Sequence, residues 1–143
     1  MANKGKYYES QFEEATIELL REAHWQYTFG DDIHRKYTDS LIEEDLTNFL
    51  AAQYKDKYLT TSEMDGIVAN LRNTGGQNDY YALRSTFLLY RDGYDFTYSD
   101  GRNNPFRLEY IDFEHPDHNI FRCVNQFVWN KDVKIAVPTY CFS

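Results

Sequence analysis

The pattern of apolar residues changes at Gly93, and this change constrains the fold more than any other feature of the sequence. Before Gly93, apolar residues recur every three or four positions, which is the period of an amphipathic helix. After it, β-branched and aromatic residues are interrupted by turn-forming residues, as in short strands. We therefore predict an α/β (α+β) chain in which helices over residues 7–93 pack on a sheet over residues 94–138. No repeat or linker interrupts the sequence, so we expect one domain over residues 1–143.

The helical part divides into four predicted helices. The first begins at Tyr8, and the second covers Leu41–Tyr54 with acidic residues in its first turn, where the helix dipole favours them. Thr60-x-x-Glu63 has the form of a capping box and opens the third helix, which Gly75-Gly76 ends. The fourth runs from about Tyr80 to Arg91 and ends at a glycine.

Four strands are predicted in the second part, over residues 95–98, 106–113, 120–129 and 133–137. The first helix is expected to turn its apolar stripe towards them, and the surplus of aromatic side chains is expected to fill the core. The residues expected to meet at this interface are Tyr8, Phe12, Leu19, Ile111, Phe121 and Val124.

Composition limits what the chain binds. Its formal net charge is −8 and its pI is near 4.9, the opposite sign to that of a module that holds nucleic acid through phosphate contacts. If DNA is the substrate, other parts of the protein must hold it. No apolar run approaches the roughly 20 residues of a membrane span. Cys123 and Cys141 have no metal-ligand spacing and form no disulfide framework, which fits a cytoplasmic location.

A polar run before the third predicted strand offers residue types that bind metals. It contains Asp112, Glu114, His115, Asp117 and His118 around a proline. The composition of a turn between two strands explains the same residues, so we interpret the run as a polar turn.

Three stretches, taken in order, resemble the N-terminal region of the restriction (R, motor) subunit of type I restriction enzymes. The first opens with Glu9–Glu14 and closes with His24–Tyr27, and the second is the helix end Leu88–Gly93. The third and most specific combines Tyr110–Phe113 with Asn119–Phe127, separated by the polar turn. The resemblance covers about residues 7 to 128.

This resemblance implies a PD-(D/E)xK nuclease fold attached to a motor that hydrolyses ATP, working with methylation and specificity subunits to cleave DNA with Mg²⁺. Such a site gathers magnesium with an acid from the first helix, a strand aspartate and a Glu-x-Lys pair, because Mg²⁺ prefers carboxylate oxygens and activates the attacking water. Glu13 is similar to the helix acid, with Glu9 as the second candidate, and Asp132 to the strand aspartate. The resemblance thus implies catalytic and metal-binding roles for Glu13 and Asp132.

The sequence departs from the family pattern after Asp132. The family continues through an Asn-Gly turn to Glu-x-Lys, whereas this sequence continues to Pro138–Ser143 without either. We therefore expect an incomplete nuclease fold and a chain that is inactive by itself. We also expect an open sheet edge at Val133–Val137, through which two copies can form a homodimer.

Other interpretations of the same residues stay open. Glu9 and Glu13 belong to a helix rich in acids and can be a solvated face, and Asp132 can be an ordinary polar residue at a strand start. The whole chain can be a non-enzymatic acidic module that docks on another subunit. A third possibility is an unrelated small acidic protein.

Overall fold

The computed structural model describes residues 9–36, 39, 41–74, 80–128 and 136–142. Contacts group the chain into two compact units, one from residues 1–40 with 120–143 and one from residues 41–119. The elements in chain order are α1 (Glu9–Glu22), β1 (Gln26–Phe29), α2 (Glu43–Gln53), α3 (Thr61–Thr74), α4 (Tyr80–Asp92), β2 (Tyr94–Phe96), β3 (Phe106–Leu108), β4 (Arg122–Val128) and β5 (Ala136–Phe142).

The predicted mixture of helices and strands is confirmed, with four α-helices close to their predicted ranges. The single-domain prediction concerns how the two units are joined and stays a prediction. Among the described residues, no helix has the length and apolar character needed to cross a membrane.

The first unit contains a three-stranded sheet in the order β1-β4-β5. Strand β1 runs parallel to β4 with Gln26 opposite Arg122, and β5 runs antiparallel on the other side of β4. In the central strand β4, Cys123, Val124 and Phe127 are shielded from solvent. Strand β1 therefore lies inside the range that we predicted to be helical, and that prediction was wrong at this point.

The turn between α1 and β1 explains why the sequence did not reveal this strand. His24 has a left-handed backbone with φ 66°. Its amide donates to Arg21 O, and the amide of Trp25 donates to Leu20 O, the paired bonds of a Schellman helix end. Glycine is the usual residue at this position, so a histidine there carries no sequence signal for the helix stop.

The second unit, residues 41–119, holds α2, α3, α4 and the antiparallel hairpin β2–β3. Its buried apolar residues come from all of these elements except α4, together with the segments after each strand of the hairpin. They are Phe49, Leu50, Ile67, Val68, Leu71, Phe96, Tyr98, Leu108 and Tyr110.

The expectation that the aromatic surplus fills the core is confirmed after Gly93 and wrong in α4. Phe96 and Tyr98 are buried and their rings meet edge to face, with centroids 5.4 Å apart. Tyr80, Tyr81 and Phe87 of α4 are exposed. Helical spacing distributes these rings around the helix, so only some of them can face one neighbour.

The predicted strand over residues 106–113 ends at Leu108 in the structure. Beyond it the Tyr110 hydroxyl donates to Ile67 O at 2.8 Å, and the Asp112 carboxylate accepts backbone amides two and three residues ahead. These bonds turn the chain out of the ladder direction, because an aspartate that bonds the following backbone favours a turn over a strand.

The predicted capping box at the start of α3 is confirmed. The Glu63 amide donates to Thr60 Oγ1 at 3.2 Å, and the Thr60 amide donates to Glu63 Oε2 at 3.0 Å. Glu63 is buried, and Arg102 from the loop after β2 donates to both of its carboxylate oxygens at 2.9 and 2.6 Å. One side chain thus joins a helix start to a loop 39 residues away.

Replacing Glu63 by Gln should lower the thermal midpoint by about 5 °C or more, because the bidentate pair with Arg102 is lost. Bonds from Arg102, and then from the Thr60 amide, lower the pKa of Glu63 to about 2. The folded-state pKa lies below the unfolded value, so this stabilisation is present above about pH 4.3 and lost as pH falls towards 2.

Melting curves of wild type and Glu63→Gln between pH 7 and pH 2 measure this difference. The exposed Glu44→Gln, which makes the same change of charge, is the control and should lower the midpoint much less, since it loses only the weak interaction of an exposed charge with the helix dipole. A difference in melting temperature between wild type and Glu63→Gln that stays constant down to pH 2 would contradict the contribution of the Glu63–Arg102 ion pair.

Replacing Gly93 by Ala should destabilise the protein by at least about 2 kcal/mol. Gly93 has φ 63°, and an added Cβ would lie 1.9 Å from Leu108 O. Gly66→Ala is the matched control, since a Cβ there meets nothing within 4 Å and alanine favours a helix interior by about 0.8–1 kcal/mol. Urea denaturation measures the stability of both variants. Equal denaturation midpoints for Gly93→Ala and Gly66→Ala would contradict the prediction.

Residues 133–135 of the predicted edge strand Val133–Val137 lie outside the described residues. The described strand β5, which begins at Ala136, lies at the end of the three-stranded sheet, where its outer backbone groups can pair with another chain. The expected homodimer stays a prediction. Light scattering over a dilution series should show a dimer that dissociates at low concentration, and a monomer at every concentration would refute it.

Candidate functional site

Helix α1 turns a different face to the sheet from the one that we predicted. Glu13, Ile17 and Leu20 are half-buried, and their spacing of four and three residues places them on one face. Phe12 and Leu19, expected to point inward, are 61% and 67% exposed, so the expectation was wrong for these two residues. Tyr8, the third residue expected there, lies outside the described residues. The chain reversal at His24 and the pairing of β1 with β4 orient the helix, and these tertiary constraints outweigh its apolar stripe.

The sheet-facing side of α1 forms one wall of a groove of about 380 Å³ within the first unit. Strands β1 and β4 supply the other wall. The lining residues are Ser10, Glu13, Glu14, Ile17, Glu18, Arg21, Tyr27 and Asn125.

Glu13 is the lining acid that is bonded to the sheet. Its Oε1 accepts a hydrogen bond from Nε2 of Gln126 in β4 at 3.2 Å. This bond joins residues 113 positions apart and orients the carboxylate towards the sheet. The interpretation of Glu13 as part of a fully solvated helix face therefore does not describe its surroundings.

Two polar side chains joined by a hydrogen bond, Tyr27 and Asn125, form the opposite wall of the groove. Asn125 is buried, and its Oδ1 accepts a hydrogen bond from the Tyr27 hydroxyl at 2.9 Å. The Arg21 guanidinium lies over the Tyr27 ring, 5.4 Å from its centroid. In the parallel pair Tyr27 lies opposite Cys123 and Asn125 lies opposite Phe29. Tyr27 and Asn125 are therefore two register positions apart on adjacent strands, and they meet although 98 residues separate them.

The structure describes the positions of two of the three residues that we considered for the site, Glu13 and Glu9. Glu13 lines the groove, whereas Glu9 belongs to the first turn of α1 and the described lining does not include it. Asp132 lies outside the described residues, so its place near Glu13 stays a prediction.

Sequence reasoning missed Glu14, Glu18, Tyr27 and Asn125 as lining residues. The two acids were detectable, because Ser10, Glu14, Glu18 and Arg21 continue the helical face of Glu13. Tyr27 and Asn125 carried no such signal, since their proximity depends on the unpredicted strand β1.

A comparison with known protein families matched most of the chain. The sequence profile of the family described as Type I restriction enzyme R protein N terminus matches residues 6–137 of this chain. The chain therefore belongs to the family of type I restriction enzyme R protein N-terminal regions. Comparison with curated proteins found no match, and neither did comparison with solved structures.

Chemically, the groove presents three carboxylates, one guanidinium and a buried amide within one concave surface. Carboxylate and amide oxygens are the ligands of hard divalent cations such as Mg²⁺, which usually binds one or two protein carboxylates and keeps several waters. The bond from Gln126 orients the Glu13 carboxylate, in the way that residues behind a metal ligand commonly do.

Proposed function

We propose that this chain forms part of the nuclease domain of a type I restriction R subunit, whose full-length form cleaves DNA with Mg²⁺ while its motor hydrolyses ATP. The observation that carries the proposal is the Glu13 carboxylate, which α1 turns to the sheet and Gln126 orients. The family membership supports the reaction class, and the groove supports the position of the ion.

In this proposal Glu13 is one Mg²⁺ ligand, and Asp132 is a second, as the family resemblance implies. When bound, the ion lowers the pKa of its water and stabilises charge on the phosphate. The role of the Gln126 amide is to hold Glu13 in one orientation. This positioning increases affinity, because a fixed ligand loses less entropy on binding.

The remaining parts of the reaction must come from other regions of the R subunit and its partners. The 143-residue sequence contains no Glu-x-Lys, the pair that the family uses beside the strand aspartate. The net charge of −8 opposes the approach of the phosphate backbone. We therefore propose that other parts of the subunit, with the methylation and specificity subunits, hold the DNA.

The chain by itself should not nick plasmid DNA in Mg²⁺ or Mn²⁺, because the metal ligand and the cation of Glu-x-Lys are missing. The same chain, kept whole through β5 and joined after residue 143 to the Glu-x-Lys segment of a family member, should nick in Mg²⁺. Glu13→Gln in this extended protein should slow nicking about 100-fold or more, since it removes a charged metal ligand.

Glu22→Gln is the matched control, because Glu22 belongs to the same helix and the described groove lining does not include it. It should nick within about twofold of the unmutated extended protein. Two results would count against the proposal: nicking that Glu13→Gln leaves unchanged, and Glu13-dependent nicking by the 143-residue chain alone.

A second candidate function is a non-enzymatic docking module. It is favoured by α4, which exposes Tyr80, Tyr81, Leu83 and Phe87, together with the acidic charge. The extended protein separates the two functions, since a docking module gains no magnesium-dependent nicking.

A further inference from the structure

The turn before β4, interpreted above as a polar turn, is built around the buried Asp112 carboxylate. Its Oδ1 accepts the amides of Glu114 and His115 at 3.1 and 2.8 Å, and its Oδ2 accepts Nε2 of Gln53 in α2 at 2.8 Å. Both oxygens are thus fixed by donors from the turn and from α2.

Two histidines converge on the same oxygen. His118 Nδ1 lies 3.0 Å from Asp112 Oδ2, and His115 Nδ1 lies 3.7 Å from it. The two imidazole rings are nearly parallel, with centroids 5.1 Å apart and planes 20° apart. One possible ligand atom from each of the three residues lies within 4.8 Å of the others.

The backbone that carries these groups is held by Asn119. Its Oδ1 accepts the Asp112 amide at 2.9 Å, while its Nδ2 donates to Asp112 O at 2.8 Å and to Pro116 O at 3.2 Å. A 3-10 turn over Pro116–His118 completes the loop. Each of the three groups therefore sits on backbone that is already ordered, so binding an ion requires little further ordering.

We propose that Asp112, His115 and His118 form a binding site for a divalent transition-metal ion of the Zn²⁺ class. Imidazole nitrogen and carboxylate oxygen are suitable donors for Zn²⁺, whereas Mg²⁺ requires an octahedral set of oxygens. Metal–ligand bonds of about 2.1 Å in a tetrahedral ion separate neighbouring donors by about 3.4 Å. The two measured nitrogen–oxygen distances lie on either side of this value.

The surroundings fit this proposal better than they fit a turn alone. The amides of Glu114 and His115, which donate to Asp112 Oδ1, are sufficient to hold it in a turn. Two imidazoles, three and six residues ahead, also face its carboxylate. His115 and His118 are 62% and 49% exposed, which gives an ion access and leaves room for water as the fourth ligand. Gln53 bonds the ligating carboxylate, as residues behind a metal site commonly do.

The site belongs to the unit of residues 41–119, whereas Glu13 belongs to the other unit, and it does not depend on the proposed nuclease function. Its ion would join the turn to α2 through Asp112 and Gln53. We infer a structural role, in which the ion stabilises the folded unit by binding it and not the unfolded chain.

Titration of the full 143-residue chain with Co²⁺ and Zn²⁺ tests the site. The chain should bind one ion, give the intense visible absorption of low-coordinate Co²⁺, and melt at a higher temperature with Zn²⁺. His115→Ala and His118→Ala should each weaken binding about 100-fold or more, and Gln53→Ala about 10-fold. His34→Ala is the matched control, because it removes an exposed histidine from the other unit, and should bind like wild type.

Imidazole resonances of the wild-type chain provide a test that needs no variant, should a variant fail to fold. Zn²⁺ should shift the signals of His115 and His118 at one equivalent and leave those of His24 and His34 in place. Failure to bind one ion, equal shifts at all four histidines, or unchanged Co²⁺ absorption in a folded His118→Ala would each overturn the proposal.

Discussion

A carboxylate removed from water must receive hydrogen bonds in return, and in residues 41–119 this constraint decides how the loops fold. The Glu63 carboxylate accepts hydrogen bonds from the Thr60 amide, the Arg102 guanidinium and the Ser99 hydroxyl. These bonds hold the loop after β2 against the start of α3. Asp112 meets the same constraint with Gln53 and two backbone amides, which ends the strand before the turn. The apolar core supplies most of the burial, and these two acids select one arrangement of the segments around it.

In the other unit the comparable constraint is the pairing of β1 with β4. Parallel strands require a long connection, and here residues 30–121 provide it. Gly30 lies at the start of that connection, where an added Cβ would be 2.3 Å from Gln126 O, so the backbones approach as closely as glycine allows. This approach brings Gln126 within reach of Glu13, and the candidate nuclease groove is a direct result of the strand pairing.

The two candidate sites differ in how their donors are held. Gln126 orients Glu13 from a strand distant in sequence, so the groove depends on the tertiary fold. Asp112, His115 and His118 belong to one turn of seven residues, and local backbone bonds bring them together. Gln53 is the one long-range donor to that cluster that the structure describes.

Local signals in the sequence determined the four helices, the capping box at Thr60 and Glu63, and the turn around Pro116, because neighbouring residues carry the bonds that form them. The family also followed from the sequence. Only the tertiary structure decided which face of α1 is covered, since a helix with apolar residues on one side and Glu13, Ile17 and Leu20 on another can pack either way. The tertiary structure also decided that Gln26–Phe29 is a strand. A segment of four residues forms a stable strand only when a partner strand, here β4, supplies the hydrogen bonds between their backbones.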